Sequence, residues 1–296
     1  MRASRARVLH WIIGVACWAV GAAAHADAPP VPTSAEAPPS GVRFTADPIR
    51  DGAIISLALG FGALSELVLS TGEIVPQQPQ PTSKLLGIDR IALTKHEDGA
   101  IVLSSVGAIA ALAYALVDPI ASGYRDGSET GLVDFVLYAQ ALSLTWAATN
   151  VAKLTVRRPR PRAYQEQQRL YEKFGIEDAP NITETDTALS FFSGHTAIVA
   201  AVASAATYLA FARSPNTLRP WITLAVGALL TAFVGIERVR AGAHFPTDVI
   251  AGGMAGLGVG LLVPHLHRES PPTHQSVWIG FNSRRDGGTL QLSGSF

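Results

Sequence analysis

Six apolar stretches limit what this 296-residue chain can fold into more than any other feature. They contain few charged side chains and cover Gly52–Ser70, Gly99–Val117, Gly131–Ala152, Thr196–Ala212, Pro220–Ile236 and Val249–Leu266. A helix that crosses a bilayer needs about 20 apolar residues, and small residues like those found here allow helices to pack closely in lipid. We therefore predict an all-α bundle of five or six mostly transmembrane helices. A soluble bundle of buried, alanine-rich helices is the alternative.

The overall composition supports this fold class. Charged residues make up 16% of the chain, whereas soluble chains average about 25%. The mean hydropathy is +0.25, and the 23 basic residues balance the 23 acidic ones. This composition excludes a disordered chain and argues against a nucleic-acid partner.

The first 26 residues have the pattern of a secretory signal peptide. Arg2, Arg5 and Arg7 precede the apolar run Trp11–Ala24, and a small-x-small cleavage site follows at residues 24–26. An uncleaved signal anchor is the alternative. A cleaved signal would place the mature protein in the envelope of a bacterial cell.

The rest of the chain divides where its composition changes. Residues 27–47, rich in proline and alanine, predict a linker, and residues 48–268 predict one catalytic domain. In the tail, residues 269–296, alternating apolar residues surround Asp286–Gly288, which is typical of a β-hairpin. Cleavage after residue 26 would remove Cys17, the only cysteine, so we expect no disulfide.

Three polar clusters lie at the ends of apolar stretches. They are Lys153–Arg162, Phe192–His195 and Arg238–Asp248. No apolar stretch separates the first cluster from the second, and two stretches separate the second from the third. If each stretch crosses the bundle once, all three clusters lie at the same end of it.

A multi-oxygen anion is the ligand that these clusters favour. Arginine binds phosphate in a bidentate manner, and the helix start expected at Ser193-Gly194 offers free N–H groups. His244 and Asp248 are four residues apart, so we expect them on one helical face, where the carboxylate would make one ring nitrogen nucleophilic. Each cluster alone also fits a simpler role: a basic flank, a helix cap, or a structural pair. Two histidines and a carboxylate could hold a metal, but the basic surroundings argue against a cation.

The order and spacing of the clusters resemble the type 2 phosphatidic acid phosphatase (PAP2) superfamily, which includes bacterial class A acid phosphatases and vanadium haloperoxidases. The motifs K-x6-R-P, S-G-H and R-x5-H-x3-D match Lys153 with Arg160-Pro161, Ser193-Gly194-His195, and Arg238 with His244 and Asp248. The resemblance covers about residues 50–266. Phe192 stands where the family usually has proline, and Glu237 where it usually has serine. The added negative charge of Glu237 leaves the substrate preference open.

The resemblance implies a role for each matched residue. His244 would attack phosphorus and form a phosphohistidine, Asp248 would orient His244, and His195 would protonate the leaving oxygen. The phosphate would be held by Lys153, Arg160, Ser193, Gly194 and Arg238. The resemblance implies no metal and no other cofactor. The expected partners are a lipid phosphate, or another phosphorylated small molecule, and membrane lipid.

These roles predict a metal-independent phosphoric ester hydrolase that acts on a phosphomonoester or diphosphate, with a membrane lipid as the expected substrate. The alternatives are a soluble periplasmic class A-like acid phosphatase, a vanadium haloperoxidase, and a non-enzymatic anion-binding membrane protein. A metal hydrolase that uses both histidines would differ by losing activity to a chelator.

The expected location is the inner membrane, with the site facing the periplasm. A cleaved signal conflicts with six spans, because it leaves the residue before the first span outside, whereas a periplasmic site requires that residue to be cytoplasmic. The simplest way to remove the conflict is that Gly52–Ser70, which contains Glu66, lies at the membrane interface instead of crossing. The other is a wholly soluble periplasmic bundle, and of the two we prefer the membrane protein.

Overall fold

A computed structural model of the chain describes residues 42–74, 77–185 and 189–269, and the backbone of 277–284 and 287–294. The predicted signal peptide, 1–26, and most of the predicted linker, 27–47, lie outside these residues. Both stay predictions, as do the limits of the predicted catalytic domain.

Seven α-helices lie within the described residues. We name them α1 to α7 in chain order, with the bounds Pro48–Ser70, Asp98–Asp126, Ser128–Val156, Pro161–Phe174, Gly194–Arg213, Arg219–Arg240 and Pro246–Leu266. All except the short α4 are long and apolar enough to cross a membrane. Each of the six apolar stretches lies within one of these helices, so the predicted all-α membrane bundle is confirmed.

Large apolar side chains cover the outer surface of this bundle. Leu57 of α1, Leu229 of α6 and Met254 of α7 are 74%, 71% and 69% exposed. Extensive exposed apolar surface is unfavourable in water and is the normal condition of a helix that faces lipid. This surface favours the membrane bundle over the soluble alternative.

A two-stranded hairpin follows the bundle in the chain. Strand β1, Val277–Arg284, pairs in an antiparallel manner with β2, Gly287–Gly294. The β-hairpin predicted for the tail is therefore confirmed.

A tight helix contact joins α5 and α7. Three glycines of α7, Gly252, Gly256 and Gly260, are four residues apart and share one helix face. A Cβ atom at these positions would lie between 2.0 and 2.5 Å from backbone oxygens of α5, so only glycine allows the approach. The contact brings the starts of both helices together, and the Ser193 N–H donates to the Asp248 carbonyl oxygen at 3.0 Å.

The first helix, α1, lies lengthwise in the bundle. Gly62, near its middle, packs on α3, where Asn150 Nδ2 donates to the Gly62 carbonyl oxygen at 3.1 Å. Near its start, Asp51 Oδ1 lies 3.2 Å from Nε2 of His267, which directly follows α7. α1 therefore runs along the bundle and is long and apolar enough to cross a membrane, which argues against the expected interfacial position of Gly52–Ser70.

The connections between the helices divide between the two ends of the bundle. α1 begins and α7 ends at one end, together with the α2–α3 and α5–α6 connections. The three polar clusters lie at the other end, which we call the site end. The prediction that they share one end is confirmed.

Candidate active site

The three polar clusters meet at the site end. Lys153 lies in the last turn of α3, Arg160 precedes α4, and His195 lies in the first turn of α5. Arg238 lies in the last turn of α6, and His244 lies in the turn between α6 and α7. The charges of the three basic residues act on both histidines. The fold thus gathers positive charge from three separate segments around two imidazoles.

The start of α5 is a second source of positive potential. Ser193 is the N-cap and Gly194 the first helical residue, as predicted. N–H groups in a first helical turn lack helical partners, and the helix dipole is positive there. A Cβ atom at Gly194 would lie 3.0 Å from the Thr149 methyl group, so glycine keeps α5 close to α3. The arrangement favours an anion beside His195.

Two of the arginines are almost completely buried. Arg160 and Arg238 are 9% and 8% exposed, and Arg238 Nη1 lies 3.5 Å from Ser104 Oγ of α2. Attraction between charges grows as water is excluded. These two guanidinium groups are therefore well suited to bind the oxygens of a phosphate.

His244 is buried, and the backbone determines which nitrogen carries its proton. Nδ1 lies 2.6 Å from the Ser190 carbonyl oxygen. Because a carbonyl oxygen only accepts, Nδ1 carries the proton and Nε2 keeps its lone pair. Burial, followed by the charges of Arg160 and Arg238, holds the pKa of His244 well below its ordinary value of 6.5. The imidazole is therefore neutral at neutral pH, the state that a nucleophile needs.

Asp248 reaches His244 through Ser190. Its Oδ2 accepts from the Ser190 hydroxyl at 2.5 Å and from the Phe245 N–H at 2.9 Å. The predicted placement of His244 and Asp248 on one helical face is wrong, because α7 begins only at Pro246 and His244 precedes it. Asp248 instead lies in the first turn of α7 and folds back over the helix start.

Arg158 joins Asp248 to the loop before α2. Its Nη1 donates to Asp248 Oδ1 at 2.5 Å and to Thr247 Oγ1 at 2.7 Å, and its Nη2 donates to Asp89 Oδ2 at 2.7 Å. Asp89 is buried in the 3₁₀ turn Asp89–Thr94, and it accepts from the Thr247 hydroxyl and N–H. The guanidinium carbon also lies 4.2 Å from the centre of the Phe245 ring. These contacts hold the loop against the start of α7.

The sequence analysis assigned no role to Arg158, Asp89 or Ser190. Arg158 lies inside the K-x6-R-P motif, but between its matched positions. Asp89 and Ser190 lie in polar loops, where a buried residue cannot be told from an exposed one in a single sequence. The two adjacent arginines, Arg157 and Arg158, were one signal in the sequence that Arg158 has a role. A basic flank that only contacts solvent does not require its charges in a particular order.

The two residues that depart from the family pattern, Glu237 and Phe192, are both buried. Glu237 is buried and pairs with Arg240 at 2.8 Å, which also pairs with Glu97 at 2.5 Å. Because Arg240 is shared between the two carboxylates, it offsets only part of the Glu237 charge beside α2. Phe192 is buried, and its ring meets that of Phe191 edge to face at 6.0 Å.

A cleft of about 310 Å³ opens beside His195 and Lys153. Its walls come from α2, α3 and α5, and they are formed by Ser105, Ala108, Ile109, Leu112, Trp146, Thr149, Gly194 and Ile198. Most of these side chains are apolar. The cleft therefore joins the charged pocket to a surface suited to a hydrocarbon chain.

Among the residues that the structure describes, no three His, Cys, Asp or Glu side chains come together in a group that could hold a metal ion. The expected metal independence stays a prediction that only an experiment can test.

Comparisons with known proteins agree with the resemblance found in the sequence. A family model, the PAP2 superfamily, matches residues 134–272, a little under half of the chain. This range contains every residue that we matched to the three motifs. No curated protein matches the chain.

One solved structure is similar to this chain. It is described as the crystal structure of the first transmembrane PAP2 type phosphatidylglycerolphosphate phosphatase from Bacillus subtilis. The two chains share 20% identity over 73% of this chain and 94% of that one, with a TM-score of 0.43. The six apolar helices and the family match support a phosphoric ester hydrolase in a membrane.

Proposed function

Because residues 134–272 match the family model of the PAP2 superfamily, we propose that this protein is a metal-independent phosphatase. It hydrolyses a phosphomonoester or diphosphate of a membrane lipid through a phosphohistidine. The observation that carries the proposal is His244. Its imidazole is buried and neutral, with Nδ1–H held by a carbonyl oxygen, beside a cluster of positive charge. Such a group can attack a phosphate that the cluster has bound.

The first chemical step forms the covalent intermediate. Nε2 of His244 donates its lone pair to phosphorus, and the bond between phosphorus and the leaving oxygen breaks. The negative charge of the bound phosphate favours a proton on His195. His195 gives that proton to the leaving oxygen, so the alcohol or phosphate leaves in its protonated form. Nδ1–H of His244 remains bonded to Ser190, and this bond stabilises the positive charge that the ring acquires.

The second step restores the enzyme. His195, now neutral, takes a proton from water, and the water oxygen attacks phosphorus. The phosphorus–nitrogen bond breaks, phosphate leaves, and both histidines return to their starting states. In each step the negative charge on the phosphoryl oxygens is stabilised by Lys153, Arg160 and Arg238, with Ser193 and the Gly194 N–H. These groups supply the charge that a metal ion supplies in other phosphatases.

The surroundings of the pocket support a lipid substrate. The phosphate pocket lies at the ends of membrane helices, close to the level at which lipid headgroups lie. The adjoining cleft offers Ile109, Leu112 and Trp146 to the acyl part of a lipid. A soluble class A-like acid phosphatase would need neither this cleft nor the apolar outer surface. A haloperoxidase would use the same pocket to hold vanadate and would oxidise halide.

We propose that the site faces the periplasm from the inner membrane. In a bundle of six spans, residues 42–47 then lie in the cytoplasm, at the end opposite the site. This orientation requires that residues 1–26 are neither removed as an exported signal peptide nor inserted across the membrane as a signal anchor, because either would leave residue 27 outside. An N-terminal sequence that begins at Asp27 would instead place the site in the cytoplasm.

Single cysteines test the orientation directly. In a Cys17→Ser background, Asp178→Cys lies at the site end and Asn216→Cys at the opposite end, both at exposed positions. The first should react with an impermeant maleimide in intact spheroplasts, and the second only after lysis. The reverse pattern would overturn the periplasmic orientation, and labelling of both before lysis would point to a soluble protein.

The chemistry is tested by trapping the intermediate. Phosphate release is measured from a panel of lipid and soluble phosphomonoesters and diphosphates. The best substrate, labelled with ³²P, is then quenched in alkali, which preserves phosphohistidine. Wild-type protein and the exposed-site control Arg169→Gln should carry label, whereas His244→Ala should carry none. Label that persists in His244→Ala would overturn the proposed nucleophile.

A further inference from the structure

We propose that Arg158 and Asp89 are positioning residues for His244, an inference that rests on the proposed function. Together they hold Asp248 against Ser190, and Ser190 holds His244 in its reactive orientation. We call Asp89, Arg158, Asp248 and Ser190 the clamp. Asp89 lies outside residues 134–272, the region that the family model matches.

The clamp is continuous from the loop before α2 to the imidazole. Asp89 binds one nitrogen of Arg158 at 2.7 Å, and the other nitrogen binds Asp248 at 2.5 Å. Asp248 then accepts from the Ser190 hydroxyl at 2.5 Å, and the Ser190 carbonyl oxygen accepts from His244 Nδ1 at 2.6 Å. Each link is a hydrogen bond of ordinary or short length.

Burial makes these contacts effective. Asp89, Asp248 and Ser190 are each at most 1% exposed, and the Arg158 side chain is 21% exposed. Interactions with buried charges are weakly screened by solvent and cost more to break than exposed ones. A second contact fixes the same geometry, because the Ser190 N–H donates to the Arg158 carbonyl oxygen at 3.0 Å. Arg158 therefore contacts Ser190 directly through its backbone, and its side chain reaches Ser190 indirectly, through Asp248.

The electrostatic role of Arg158 follows from its place between two carboxylates. While Arg158 is present, the negative charge of Asp248 is compensated and contributes little to protonation of His244. Without Arg158, Asp248 would carry an uncompensated charge that only Ser190 separates from the imidazole. Such a charge favours the imidazolium form and raises the pKa of His244. Removal of the Asp248 charge leaves Arg158 less compensated, and that positive charge lowers the pKa of His244.

The kinetic test compares four variants of the full chain in lipid nanodiscs. Arg158→Met, Arg158→Lys and Asp89→Asn should each lower kcat by about 10- to 100-fold, with KM changed by less than about threefold, as for other supporting contacts at active sites. Arg157→Lys, a change at the exposed neighbouring arginine, is the matched control and should behave as wild type. The double variant Asp89→Asn/Arg158→Lys should be no worse than the poorer single variant, because both break one chain of contacts.

A pH profile separates this role from simple support of the fold. The acidic limb of kcat/KM should move to higher pH in Arg158→Met and to lower pH in Asp248→Asn. Loss of stability alone would not move the limb in opposite directions. Lysine at 158 keeps the charge but loses the two-pronged contact, so it should lower kcat without moving the limb.

The same shifts can be observed without turnover. Histidine-selective ¹⁵N NMR, with His244→Asn for assignment, reports the protonation of His244 in each folded variant. If the wild type releases no phosphate, the proposed function fails, and the NMR shifts still decide whether the clamp controls His244. A raised KM with unchanged kcat in Arg158→Met would make Arg158 a phosphate ligand and overturn the proposal. Unchanged kcat and unchanged His244 titration in all variants would also overturn it.

Discussion

The two ends of the bundle bury charge in different ways. At the end away from the site, two buried acids each meet an arginine: Asp134 pairs with Arg213, and Asp118 pairs with Arg219 at 2.9 Å. The Tyr138 hydroxyl also donates to Asp118 at 2.9 Å. At the site end, positive charges from three segments converge on two histidines.

The difference separates a role in the fold from a role in binding. A matched pair of buried charges needs no ligand to be stable, although removal of one partner alone is costly. Positive charges gathered in one place repel each other, and a bound anion relieves that repulsion. In the clamp, one guanidinium lies between two carboxylates, and the neighbouring predicted phosphate pocket is positive.

The largest effect is expected at the nucleophile of the site end. His244→Ala removes the only group assigned to attack phosphorus, so kcat should fall by about a thousandfold or more. The thermal unfolding temperature should change little, because the neighbouring clamp remains complete. Phosphate release from the best substrate and a thermal melt in detergent measure the two effects. Activity above a few per cent of wild type would contradict the assignment.

A change at the opposite end of the bundle should lower the stability of the protein without changing its catalytic rate. Asp134→Asn leaves Arg213 buried without its charged partner, which should cost about 3 kcal/mol and lower the melting temperature by about 10 °C. The kcat of the protein that remains folded should match wild type. Glu166→Gln is the control, because it breaks the exposed pair with Arg169 and should leave the melting temperature unchanged. A fall in kcat would mean that the two ends are coupled.

The pH dependence should reflect the positive surroundings of the site. Burial and the charges of Arg160 and Arg238 lower the pKa of His244 from 6.5. Its Nε2 is therefore protonated, and unable to attack, only at more acidic pH. The acidic limb of kcat/KM, which reports the free enzyme, should therefore lie below pH 6.5. Arg160→Gln should shift it upward, toward that value. A wild-type limb at or above pH 6.5 would show that these charges do not control the nucleophile.

The smallest effect is expected from chelators. Lys153, Arg160 and Arg238 supply the positive charge, so activity should survive EDTA within experimental error. Vanadate should inhibit competitively, since it adopts a trigonal bipyramidal form similar to the phosphoryl-transfer state. Loss of activity on chelation, restored by zinc, would replace the proposed mechanism with a metal hydrolase. Halide oxidation in the presence of vanadate would favour the haloperoxidase.

Much of this molecule is determined by its sequence alone. Runs of apolar residues can only be satisfied by helices in lipid, where every backbone polar group needs an internal partner. Six such runs therefore predicted six helices, and counting them placed the three clusters at one end. The hairpin in the tail was equally predictable, because alternation around Asp286–Gly288 is a local signal.

The path of α1 and the support of His244 depend on tertiary structure. The Glu66 charge suggested an interfacial segment, whereas Gly62 packs on α3 and α1 runs along the bundle. The spacing of His244 and Asp248 suggested direct contact along a helix. Pro246 begins α7 two residues too late for that, and Ser190 from a distant loop occupies the position beside the imidazole.

The division has a physical reason. Apolar periodicity and motif spacing act over a few residues along the chain, so they are visible in one sequence. The contact between Asp89 and Arg158 joins residues 69 positions apart, and Thr247 at the start of α7 contacts both of them. The sequence predicted which residues bind the phosphate, and the packing of the helices decided which residues contact His244.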